Sequence, residues 1–151
     1  VLNDALATSR DLISNFKVGA TTGDVIKTGT GTDPTEAIAA ASDVESVTAG
    51  GNLSIASTSG VVLIDMDLNG SFTDAASLNG TNLLAALGGT ATTSSAADKV
   101  LFAVDNGTDT GIYVGSAGAS DSGIVASELS LVAVLYGVDD ATTLTADNFT
   151  T

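Results

Sequence analysis

An apolar run of strand length, Gly60 to Leu68, passes without a break into an acidic loop that closes at Asp74. Side chains of a strand alternate between faces, so Val62, Ile64, Met66 and Leu68 point one way and Asp65 and Asp67 the other. The theme returns twice. Lys99 to Val104 runs into Asp105-Asn106-Gly107 and comes back through Ile112, Tyr113 and Val114. Glu128 to Tyr136 alternates at first and then turns continuously apolar, which marks a central strand. Asn-Gly between apolar segments is the strongest short signal for a two-residue hairpin, and it occurs at Asn69-Gly70 and at Asn106-Gly107. These features predict an all-β chain. The expected architecture is an antiparallel β-sandwich of short strands with one or two short helices, in a single domain spanning residues 1–151.

The remaining elements are brief. Pro34 to Ala41 predicts a short helix with proline at its start. Val44, Val47, Leu53 and Ile55 predict two short strands around Gly50-Gly51. Thr81 is placed to cap a two-turn helix whose Leu83, Leu84 and Leu87 share a side and which Gly88 ends. The acids support the β reading, because fifteen are Asp and three are Glu, and Asp favours turns where Glu favours helices. With 44% hydrophobic residues the chain is not expected to be disordered. No apolar run reaches transmembrane length, so no membrane insertion is expected. The chain has no initiating Met and no signal peptide, and is expected to be part of something longer.

The acidic loops are the candidate sites. Asp65, Asp67, Asn69 and Gly70 reproduce the first half of an EF-hand-type calcium loop, in which alternate oxygen side chains converge on one ion and Gly makes the turn. The twelfth position of such a loop is Ala76, and Asp74 stands two residues early. Asp105 and Asp109 flank the tip of the second hairpin and could share a cation. Between Lys27 and Lys99 there is no base, while eight acids fall there. Two readings of these residues stand side by side. In one, Asp65, Asp67, Asn69, Asp74, Asp105 and Asp109 ligate calcium; in the other, the loops are plain hairpins with carboxylates on a wet face.

Several function classes are excluded by what is missing. A formal charge of −14 disfavours nucleic acid and anionic membranes. Without Cys there is no disulfide, no thiolate metal site and no cysteine nucleophile. Without His the commonest general base is absent, and Ser–His–Asp chemistry with it. Without Trp, a sugar platform beside paired carboxylates is poorly provided for. No loop ends in Gly-Lys-Ser/Thr to cradle a phosphate. The expectation is a protein that is not an enzyme.

Two stretches carry a resemblance. Asp11, Ile13, Phe16 and Gly19, followed by Asp24 and Ile26, form a pattern similar to the segment that follows the glycine-rich repeats of RTX (hemolysin-type calcium-binding) proteins. The repeats themselves, Gly-Gly-x-Gly-x-Asp, do not occur here. The series from Leu101 to Val104, through Glu128-Leu129, Leu131 and Gly137-Val138, to Leu144-Thr-Ala-Asp-Asn-Phe149 resembles the C-terminal bluetail domain of bacterial surface proteins. The resemblance implies a calcium-binding, secreted surface protein exported by type I secretion machinery. It also implies an export signal near the C-terminus, which Asp147, Phe149 and Thr150-Thr151 would fit.

Together these expectations describe an extracellular, non-enzymatic structural domain that self-assembles into a fibre, sheath or surface layer. Residues 1–32 would be an extended arm, or an RTX-flanking segment, able to complete a neighbour's sheet. The alternative is a C-terminal secretion and folding module of a larger RTX protein.

Overall fold

A strand that is apolar at every position must be covered on both faces, and that requirement organises this fold. The computed structural model describes residues 11–19, 22–27, 44–48, 53–55, 60–68, 70–73, 80–93, 99–118 and 120–150. Their strands are β1 (Asp11–Ser14), β2 (Ile26–Lys27), β3 (Val44–Thr48), β4 (Leu53–Ser54), β5 (Val61–Asp67), β6 (Ala91–Thr92), β7 (Lys99–Asp105), β8 (Asp109–Ser116), β9 (Gly123–Ile124), β10 (Leu129–Tyr136) and β11 (Phe149–Thr150). One α-helix, α1 (Thr81–Ala86), and 3-10 turns at Ala126–Glu128, Ala141–Thr143 and Ala146–Asn148 complete the described elements.

Six strands form the central sheet, in the order β1-β10-β8-β7-β5-β3. Its two faces feed two separate cores. Val62, Ile64, Phe102, Val104 and Tyr113 pack with Leu83 and Leu87 of the α1 region, and with Leu53, Ala91 and Ile124 of a small sheet ordered β4-β6-β9. On the other face Val61, Leu63, Leu101, Ala103 and Ile112 pack with Ile26, Val138, Ala141, Leu144 and Phe149. That second cover consists of the turns after β10 and a two-stranded ribbon of β2 and β11. The β10–β8 register shifts between Leu131 and Ala133, and this bulge lets the consecutive Val132 and Ala133 both join the second core.

The chain is all-β, as expected, but its sheets are mixed. β10–β8 and β8–β7 are antiparallel, whereas β1–β10, β7–β5 and β5–β3 are parallel. The difference turns on β5, whose neighbours β3 and β7 both run parallel to it. The expected hairpin turn at Asn69-Gly70 includes Asn69, which lies outside the described residues. Beyond β5, Leu68 and Phe72 enter the first core, and α1 and β6 intervene before β7. Asn106-Gly107 does make the expected hairpin: β7 and β8 pair antiparallel, Gly107 has φ 77°, and the Asn106 N–H donates to the Asp109 carbonyl at 3.0 Å.

Two smaller expectations resolve differently. The α1 cap is Gly80, at φ 71°, rather than Thr81. A Cβ on Gly80 would stand 2.3 Å from Leu129 Cβ, so glycine is required both for conformation and for space. β3 and β4 exist as predicted, but they belong to different sheets. The expected Pro34–Ala41 helix and the Gly50-Gly51 turn lie outside the described residues. Among the described residues no helix is long and apolar enough to cross a membrane.

Gly80→Ala should therefore destabilise the fold by about 2–3 kcal/mol, through strain at positive φ combined with overpacking against Leu129. Urea denaturation followed by circular dichroism measures this. A loss below about 0.5 kcal/mol would contradict the close approach.

Candidate functional site

β5 and β7 end side by side, and a register shift beyond Ile64 sets Asp67 opposite Asp105. Asp67 is exposed, whereas Asp105 is only 4% exposed. The Asp105 carboxylate is held by two backbone donors: Ala141 N–H to Oδ2 at 3.0 Å and Gly107 N–H to Oδ1 at 3.1 Å. Its antiparallel partner Thr110 is fully buried and donates its hydroxyl to the Val138 carbonyl at 2.7 Å. Asp105 and Thr110 thus pin the turn after β10 onto the second core.

As register partners, Asp67 and Asp105 bring two carboxyl groups to the same strand ends. A Cβ on Gly107 would lie 3.7 Å from the Asp67 carboxylate, so the hairpin tip lies against Asp67 without steric conflict. Burial raises the Asp105 pKa above its ordinary 3.8, and the neighbouring carboxyl group of Asp67 raises it further. The N–H groups of Ala141 and Gly107 pull the other way.

The other expected ligands stand elsewhere. Asp65 is exposed on β5 with Thr48 of β3 as its register partner. Asp109 accepts from the Gly137 N–H at 2.9 Å. It lines a cavity of about 120 Å³ together with Ser71, Phe72, Thr73, Asn106, Val134 and Tyr136. In that cavity wall the Ser71 and Thr73 hydroxyls bond each other, and Phe72 meets the Tyr113 ring edge-on, 6.4 Å between centroids. Asn106 accepts from the N–H groups of Thr108 and Asp109 and donates to the Gly70 carbonyl. Asn69 and Asp74 lie outside the described residues.

Of the six, then, the fold brings Asp67 and Asp105 together and gives Asp109 a separate anchor. Calcium takes six to eight oxygens. Among the described residues no three acidic side chains gather into such a set. A wider cleft of about 360 Å³ lies beside the pair, walled mainly by Met66, Leu68, Ala85 and Ala86, with Asp67 and Asn82.

A further polar hub was not singled out from the sequence. Asn148 is fully buried, and its Oδ1 accepts from the N–H groups of Thr145 at 3.0 Å and Gly19 at 3.5 Å. Its Nδ2 donates to the Asp24 carbonyl at 2.9 Å. The Asp24 carboxylate in turn accepts from the Lys17 N–H at 2.9 Å. Asn148 thereby binds Gly19 and Asp24 to the chain's last described turn. The available signal was the Thr145-x-x-Asn148 spacing, which resembles a capping box.

Comparison with known proteins gives no match: no family model, curated protein or solved structure corresponds to this chain.

The acid pair makes a pH prediction. Because the folded Asp105 holds its proton more tightly than the unfolded one, its contribution to stability is full below about 3.8 and is lost as pH rises through the raised value. Asp67→Asn removes the like charge and supplies an N–H donor to Asp105. It should raise stability at neutral pH by about 1 kcal/mol and gain progressively less as pH falls through the raised Asp105 value. Thermal melts of both chains across pH 4 to 8 check this; parallel curves would show the two carboxyl groups to be uncoupled.

Proposed function

We propose that this chain is a non-enzymatic, extracellular structural domain that assembles with copies of itself. One observation carries the reading: the central sheet ends on β1, a four-residue strand of mostly exposed side chains, including Leu12 at 56%. A sheet edge with an exposed apolar side chain is a template for another strand. The missing catalytic side chains and the acid-rich, hydroxyl-rich composition support the same reading. Electron microscopy and light scattering of the purified chain test it. Ordered oligomers or fibres are expected, and a monodisperse monomer at every protein and calcium concentration would remove the idea.

Calcium belongs to this proposal as the counterion of the loop that follows β5. The supporting fact is the charge pattern, with eight acids and no base between Lys27 and Lys99. At a hundred times its dissociation constant a bound ion adds about 2.7 kcal/mol. Melting should therefore rise in millimolar calcium over chelator. Identical melts with and without calcium would leave the loops as plain turns.

A second reading has its own observation. The two stretches that resemble RTX and bluetail sequences meet in the fold: β2 pairs with β11, and Asn148 bonds to Gly19 and Asp24. That supports a C-terminal module of a type I-exported protein in which both stretches form one structural unit. Deleting the last dozen residues should then abolish export, and normal export of the truncated chain would count against it.

A further inference from the structure

Residues 11–27 are bound to the rest of the chain much as a peptide ligand is bound to a receptor. β1 lies along the edge of β10, and β2 lies along β11. Ile26 is 3% exposed, while Ile13, Phe16 and Val18 rest half-buried on the second core. The polar attachment is Asn148, and Gly23 is tight against it: a Cβ there would stand 2.8 Å from Nδ2. The strands β10 and β11 and the Asn148 side chain all come from more than a hundred residues further along the chain.

Sixteen residues, 28–43, separate this strap from β3. Fully extended they reach roughly 50 Å, farther than the width of a small domain. Charge divides the same way. Arg10, Lys17 and Lys27, three of the four bases, fall within the first 27 residues beside three acids; the other fifteen acids share the single base Lys99. The strap region is neutral and the remainder carries the whole net charge of −14. The acidic body of a second copy therefore repels it little.

We infer that the strap, residues 11–27, is exchanged between copies, seating β1 and β2 of one chain on β10, β11 and Asn148 of the next. This rests on the self-assembly reading and specifies its contact. The exchanged interface repeats contacts already made within one chain, so no new complementarity has to arise. The sixteen intervening residues are long enough at full extension to reach either seat, and concentration selects between the two.

The absence of Cys gives a clean test. Ser14 and Tyr136 are exposed register partners on the adjacent strands β1 and β10. Neighbouring strands lie within disulfide range. Chains carrying Ser14→Cys and chains carrying Tyr136→Cys, one of them mass-tagged, are mixed, refolded together and oxidised. The double variant, handled alone and dilute, reports the closed seat. The expected results are a mixed disulfide mapped to positions 14 and 136 in the mixture and an internal disulfide in the double variant. An internal disulfide without the mixed one overturns exchange, and so does failure of the double variant to close. Light scattering on the unmodified chain separates the two ideas. Oligomers without a mixed disulfide keep assembly and remove exchange, while a chain that stays monomeric and gives no mixed disulfide removes both.

Discussion

Burial of a sheet on both faces is the constraint from which the rest of this structure follows. Val61 to Ile64 on β5 and Val100 to Val104 on β7 are apolar at consecutive positions and wholly buried, so neither face of the sheet can be left to water. Two covers are needed. One is built from the middle of the chain, by α1, Leu68, Phe72 and the β4-β6-β9 sheet. The other is built from regions far apart in sequence, β2 and the turns and strand that follow β10. At about 25 cal/mol per Å² of apolar surface, even a modest cover is a large share of a stability that is only marginal.

The polar groups of interest serve that second cover. Asp105 and Thr110 reach across the end of the sheet to hold residues 138–141 down, and Asn148 holds Gly19 and Asp24. Such buried groups are tolerable because their principal atoms are bonded. Asp105 differs in kind: it accepts from two backbone donors, yet burial and the nearby Asp67 raise its pKa, so this fastening weakens as pH rises through the raised value.

The strands were legible in the sequence because consecutive β-branched and aromatic residues bounded by Gly, Asn and Asp leave little choice of local structure. Their partners were less legible. The ends of β5 and β7 look alike locally, yet β7 pairs antiparallel with the strand that follows it, whereas β5 lies between β3 and β7, both parallel to it. The acid contacts were half visible. That Asp65 and Asp67 were exceptional followed from the charge pattern, and Asp105 stood out at a hairpin tip, but the meeting of Asp67 with Asp105 depends on a register shift in a parallel pair. Asn148 was hidden for a similar reason: its partners Gly19 and Asp24 lie over a hundred residues away, and a lone buried amide leaves no periodic trace.

The parallel pairing of β1 with β10, and of β2 with β11, also sets an order of events in time. The part of the chain made early has its partners in the part made late. Residues 11–27 therefore have no native seat until residues 129–150 exist and have packed, and contacts of such long sequence separation form slowly. Until then the second core of a growing chain lacks the cover that β2 and β11 give it together.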